Sequence, residues 1–218
     1  MDLETVWKVR EEEVYPALFG PLYRGIFPLT QQIFAERFSQ SDIDPRWLHY
    51  GVIEFAPTSE RPHWLYVTSG HSNPWDQEPV DYDPDGESGA GVEFTFAVSE
   101  QGDWAIETLQ HILAFDLLLC AGRYSGREPL SMHDRIPLRA PINGEPDCQV
   151  RNLVLVENEG APQEFRLPSG LVILLGFTGI TDMELTYAKA NGSPALIERL
   201  REAGYHPVTN PSRPSLSV

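Results

Sequence analysis

Lysine is almost absent from this chain. Only Lys8 and Lys189 occur, beside 14 arginines and 32 acidic residues. Between Pro62 and Gly122 there is neither Lys nor Arg, while eleven acids fall there, so that stretch supplies −11 of the formal charge of −16. A chain this poor in cations lacks the groups that neutralise nucleic-acid phosphates. Nor does anything draw it to an anionic membrane surface. Neither nucleic acid nor membrane is therefore expected as a partner. A basic protein is, because a focused negative face speeds encounter with a positive one.

Cysteine is scarce too. Cys120 and Cys148 are isolated thiols that build no disulfide framework, and their spacing fits no zinc motif. Both are expected to be reduced and mostly buried. The opening Met1-Asp2-Leu3-Glu4 has no basic stretch before an apolar run, so no signal peptide is read there. The apolar run Ile112 to Ala121 is broken by Asp116 and is too short to span a bilayer. A cytoplasmic location follows as the expectation.

Recognisable catalytic patterns are missing. There is no G-x-S-x-G, no H-E-x-x-H and no Walker A loop. Gly86, Gly89 and Gly91 resemble a glycine-rich loop, but no Lys stands near and a strand follows where a phosphate loop needs a helix. Asp81-Tyr82-Asp83-Pro84-Asp85-Gly86 opens like a calcium-binding EF-hand loop. The bidentate Glu should then fall on Val92, and Glu93 comes one residue late, on the opposite face of a strand. The six histidines, His49, His63, His71, His111, His133 and His206, show no paired ligand spacing. No catalytic residue, metal or cofactor is expected. Two other readings remain open: an enzyme or metal-dependent hydrolase using Asp81, Asp83, Asp85 and His71, and a structural adaptor dimerising through a strand edge.

What is present is an ordinary globular composition, 41% hydrophobic over 218 residues, enough for one domain with an appendage. Leu3, Val6, Trp7 and Val14 form a helical stripe that Pro16 and Gly20-Pro21 should end. Strands are expected over Tyr50–Phe55, His63–Thr68 and Val92–Val98, with a long turn-rich region from Ser69 to Gly91. Gly102-Asp103 should cap an apolar helix from Trp104 to about Ala121, with Glu107, Gln110, His111 and Ala114 on one narrow polar or small face. The apolar runs Arg151–Val156 and Leu171–Phe177 read as central strands covered on both faces. Thr181-Asp182-Met183-Glu184 is a capping box, and Ser193-Pro194 should cap a last helix closed by Gly204. The pattern implies an α+β fold, a mixed and mainly antiparallel sheet covered by helices. Residues 1–45 are read as a helical segment packing on the core, 46–205 as the domain, and 206–218 as an extended tail.

Four blocks in this order resemble the Suppressor of fused family. His63 to Ser72 is similar to its "H-W-x-Y-x-[ST]-x-G-x-S" strand and turn, and Ser88 to Phe96 to its "S-G-x-G-x-E-[LF]-T-[FL]" signature. Trp104 to Phe115 resembles its "W-x-x-x-L-[MQ]-x-[IL]-x-x-[YF]" helix, and Gly170 to Leu185 its "G-x-V-x-F-L-x-x-V-G-I-T-x-x-E-L" segment. Within these blocks Gly89 and Gly91 suit a tight entry into the third strand. Glu93, an acid among β-formers, is expected to be a buried acceptor fixing the turn.

The resemblance implies protein binding rather than catalysis. Animal members are two-lobed regulators that hold Gli transcription factors in the Hedgehog pathway, with the partner peptide added as a strand between lobes. This chain resembles the N-terminal lobe alone, so the Hedgehog role does not carry over. Shorter bacterial relatives are proposed immunity proteins of polymorphic toxin systems. Two groove positions of the family match here, an aromatic on Trp75 and an acid on Asp85. The expected function is thus a non-enzymatic binder of a basic partner, such as a toxin. Trp75 would anchor it, flanked by Asp76, Glu78, Asp81, Tyr82, Asp83, Asp85 and Glu87, on a frame of Gly89, Gly91, Glu93 and Trp104.

Overall fold

The computed structural model describes residues 3–159 and 162–217. It begins with a helix whose pitch changes midway. α1 (Leu3–Lys8) runs through a π-helical turn (Val9–Val14) into α2 (Tyr15–Phe19), all with helical dihedrals. The buried residues are Val6, Arg10, Tyr15 and Phe19. The five-residue step from Arg10 to Tyr15 is the i→i+5 turn itself. The widened turn also accommodates Pro16, which cannot donate a hydrogen bond, so the helix runs past Pro16 to Phe19 and ends at Gly20-Pro21, the second of the two expected stops.

Eight strands make one sheet. They are β1 (Leu22–Pro28), β2 (Gly51–Phe55), β3 (Trp64–Ser69), β4 (Glu87–Val98), β5 (Arg135–Pro137), β6 (Val150–Glu157), β7 (Glu164–Leu167) and β8 (Gly170–Thr181). Their order is β1-β2-β3-β4-β8-β6-β5, with β7 alongside β8. All pairings are antiparallel except the central β4–β8 pair. This is the expected mixed, mainly antiparallel α+β architecture.

Helices lie on both faces. α4 (Asp103–Cys120) covers one, packing Ile106, Leu109 and Ile112 on Val52, Tyr66, Phe94 and Phe96. The N-terminal helix covers part of the other, with Val6, Tyr15 and Phe19 against Ile53, Phe55, Leu65 and Val67. α5 (Asp182–Asn191) and α6 (Ser193–Glu202) cover the rest of it over Val154, Val156 and Ile180. The alternation of side chains along each strand sorts these residues onto their faces.

Several local expectations change. The first 45 residues also give the sheet its edge strand β1 and the short helix α3 (Gln31–Phe38). β1 is hard to read because its pairing with β2 is irregular between Leu22 and Ile26. Ala114, on the narrow polar or small face of α4, is buried where α3 packs its Phe34. Neither Gly102 nor Asp103 gives α4 a side-chain cap; the Asp103 carboxylate accepts from Arg24 instead, at 2.8 Å. Ser193 is the first residue of α6, and its hydroxyl donates to the His133 carbonyl rather than capping the helix. The Thr181–Glu184 capping box is present in full. Cys148 is buried, but Cys120 stands exposed at the end of α4.

The tail is extended yet docked. Thr209 bridges Val98 in parallel, and the Arg213 side chain is buried, pairing with Glu184 at 2.6 Å and donating to the Gly179 carbonyl at 3.0 Å.

Candidate functional site

The turn that follows β3 is held from beneath by one buried carboxylate. Glu93 on β4 is fully buried. Its Oε1 accepts from the Gly70 and Ser72 backbone N–H groups at 2.8 and 3.0 Å and from the Ser72 hydroxyl at 2.6 Å. Its Oε2 accepts from the Thr68 hydroxyl at 2.5 Å. Four donors fix one side chain, so the chain path from Thr68 to Ser72 is set by β4.

A buried cation completes the arrangement. The π-helical turn carries Arg10 inward, to 3.8 Å from Glu93. Arg10 also donates to the Ser72 and Ser69 hydroxyls, at 2.9 and 2.7 Å, to Asn73 Oδ1 at 2.7 Å, and to Glu11 at 3.0 Å. Trp7 Nε1 donates to the same Asn73 oxygen at 2.8 Å. Since Arg and Trp side chains only donate, the Asn73 amide can present only its oxygen to them. Its nitrogen is buried and finds no acceptor. Two further buried polar groups lie just beyond: His71 Nε2 is 3.0 Å from Asp116 on α4, and Tyr50 packs edge-on to the His71 ring.

A groove of about 440 Å³ opens over this turn. Its walls come from Arg46 and Tyr50, from Asn73 to Gln77, from Gly89 and Ala90, and from the C-terminal end of α4. Trp75 is half-buried in its wall, 5.6 Å edge-on to Trp7 and 5.9 Å from His49, with the Arg46 guanidinium 5.9 Å above its ring. The aromatic expected as an exposed anchor is therefore already partly packed. Gly89 approaches the turn closely at φ +59°, where a Cβ would lie 2.5 Å from the Asn73 carbonyl oxygen and 2.6 Å from that of His71. Gly91, at φ +67°, completes the bend into the regular part of β4. Trp104 sits half-buried at the start of α4, edge-on to Phe96.

Beyond the groove runs the acidic loop. Asp76, Glu78, Asp81, Asp83, Asp85 and Glu87 are all exposed, and Asp81 ends a single 3-10 turn (Pro79–Asp81). Asp76 pairs with Arg46 at 2.9 Å and Asp85 with Arg166 at 3.3 Å. Among the described residues Glu78, Asp81, Asp83 and Glu87 have no ion pair. Tyr82 turns the other way and packs at the margin of the core beneath the N-terminal helix. Asp81, Asp83 and Asp85 do not gather: among the described residues no three His, Cys, Asp or Glu side chains converge on a metal position. No helix among them is long and apolar enough to cross a membrane.

Sequence reasoning named Trp75, Glu93 and the acids but missed Arg10, Asn73 and the His71–Asp116 pair. Arg10 left a trace as one charged residue in register with Val6, and Asp116 as the break in the apolar run Ile112 to Ala121.

The order of the elements around this turn is that of a known family. The model of the Suppressor of fused protein family matches residues 46–214. The chain belongs to the Suppressor of fused family. Its fold is also that of solved Suppressor of fused structures. One, from the Sufu–Fu complex, superposes with a TM-score of 0.65 at 20% identity, covering 97% of this chain and 90% of that one. A Suppressor of fused homolog from Neisseria gonorrhoeae FA 1090 gives 0.58 at 15% identity, covering 98% and 93%. Drosophila Suppressor of fused gives 0.57 at 22% identity over 76% of this chain, which spans only 42% of that protein. No curated protein matches the chain.

Proposed function

We propose that this Suppressor of fused domain is a non-enzymatic protein-binding module that takes a basic partner through the loop 73–87 and the groove beside it. One observation carries the reading. Four exposed carboxylates without a cation, Glu78, Asp81, Asp83 and Glu87, are gathered on a loop whose base is clamped by the Glu93–Arg10 network. Unneutralised charge on an anchored loop is a feature that a complementary surface would satisfy. The Sufu–Fu complex supports the reading, as a related fold found with a protein partner. The charge sign points to a Lys- or Arg-rich partner, and a nuclease-like toxin neutralised by an immunity protein is the specific case we favour.

The test is charge reversal. With a partner co-purified from the native cell, Asp83→Lys/Asp85→Lys should slow association about tenfold at low ionic strength. The deficit should shrink as salt is raised toward the range where surface charges are screened. Affinity that ignores both substitutions at every salt concentration would remove the loop from the interface.

A further inference from the structure

Among the described residues, one half of a sheet face has no covering layer. Along β8, Val172 and Leu174 are buried under the N-terminal side, whereas Leu171 and Leu175 are half-buried and Ile173 is 45% exposed. From Phe177 onward the strand is buried on both faces, so the expectation of double cover holds only for its second half. β7 shows the same split, with Phe165 and Leu167 buried and Glu164 and Arg166 exposed. On β4, Ala90 is exposed and Val92 half-buried. The register joins these residues into one surface: Val92 and Glu164 flank Ile173, Glu87 and Arg166 flank Leu171, and Glu157 lies beside Leu175. Residues paired across neighbouring strands point to the same side. Val92 and Leu175 touch the edge of the core under α4, so this is the α4 side of the sheet, beyond the reach of α4.

The surface has a defined chemistry. Its middle is apolar: Val92, Leu171, Ile173 and Leu175. Its rim carries the exposed carboxylates Glu87, Glu157 and Glu164. Arg166, the cation among the described residues of this surface, already pairs with Asp85 and donates to the Pro84 carbonyl. No backbone edge is open in the middle of it, since β8 is paired on both sides. An added strand could pair only along the far edge of β7, at the rim and not across the apolar middle. What remains is an open face, and a helix is what covers the neighbouring half of that same face.

We infer that this half-face docks an amphipathic basic helix of a partner protein, its apolar stripe on Leu171, Ile173 and Leu175 and its Lys or Arg residues against Glu87, Glu157 and Glu164. The inference rests on the protein-binding reading but centres on a face that adjoins the acidic loop and shares only Glu87 with its unpaired carboxylates. Acidic rims around an apolar strip select a basic helix over an acidic one by like-charge repulsion.

The full-length chain can be titrated with a labelled Leu/Lys peptide of about 18 residues, long enough to form an amphipathic helix on contact. A peptide of the same composition without an apolar face serves as control. At about 0.15 M salt the amphipathic peptide should bind about tenfold tighter than the control. Ile173→Asp should abolish that difference, with the melting temperature of the free protein checked alongside. Glu164→Lys, on an exposed side chain, should weaken the peptide about threefold without touching the core. Equal binding of both peptides, or indifference to Ile173→Asp and Glu164→Lys, would overturn the inference. So would a concentration-dependent dimer that Ile173→Asp dissolves, which would give the face to a second copy. Peptide binding lost with Asp83→Lys/Asp85→Lys but kept with Ile173→Asp would also overturn it, while leaving the loop reading standing.

Discussion

Glu93→Ala should cost about 3–5 kcal/mol of folding stability, the range for leaving one partner of a buried ion pair alone. The substitution strips the acceptor from two backbone N–H groups, Gly70 and Ser72, and from the Ser72 and Thr68 hydroxyls. It also leaves the buried Arg10 with only the part-exposed Glu11 as a counter-charge. Net stabilities of domains are about 5–15 kcal/mol, so this single change would consume a large share. Urea unfolding measures the loss, and amide exchange locates it: protection at Gly70 and Ser72 should fall further than at β6. Arg10→Met alone should be costly too, and the pair Arg10→Met/Glu93→Gln should cost less than the two changes summed, because neither charge is then buried alone. Strict additivity would mean that the two groups do not stabilise one another.

The second large effect lies at the other end of the chain. Glu184→Gln or Arg213→Met should each destabilise by about 3–5 kcal/mol, again by stranding a buried charge. Arg213 bonds both carboxylate oxygens of Glu184, at 2.7 and 2.6 Å, and Leu216 N–H adds a third bond at 2.9 Å. The pair thereby ties the tail to the capping box of α5. Burial by itself would raise the Glu184 carboxyl, but the Arg213 guanidinium and the Leu216 and Thr181 N–H groups outweigh it and hold it below its ordinary 4.5. A carboxyl depressed by folding stabilises the protein above its unfolded value and ceases to do so as pH falls through its folded value. The wild-type protein should therefore lose stability on the acid side of about 4.5, and Glu184→Gln should flatten that limb. Parallel acid limbs in wild type and variant would rule this pair out as the cause.

The parts of this fold that were legible in sequence share one property: their pattern is regular. β2, β3, the second half of β4 and α4 repeat with the periods of two and 3.6 that burial on one face requires. Glu93 was legible because a carboxylate amid β-branched and aromatic neighbours is costly without donors. Arg10 was not, because a charged residue four positions after Val6 does not count toward an apolar stripe, and the π-turn then moves the next buried position from Val14 to Tyr15. β1 and α3 were missed for a related reason. The strand is irregularly paired, and Gln31–Phe38 is a polar sequence held by the Thr30 cap and by Phe34. The open half of β8 was read as covered because Leu171 to Leu175 is as apolar as the half that is buried on both faces. Composition reports what a strand can bury, and only the third dimension reports what is there to bury it.

The parallel pairing at the middle of the sheet has a consequence for synthesis. β4 lies between β3, made before it, and β8, which begins at Gly170. A ribosome delivers residues in sequence order, so β1 to β4 and α4 emerge together while one side of β4 waits for a strand that does not yet exist. During that interval Phe94 and Phe96 sit beside an unpaired edge, the kind of surface on which chains associate wrongly. The long sequence gap between the two strands also gives the pairing a high contact order and makes it slow to form. The centre of the sheet is therefore closed only once β8 has been made, after β1 to β7, and the segment that pins Glu184 follows later still.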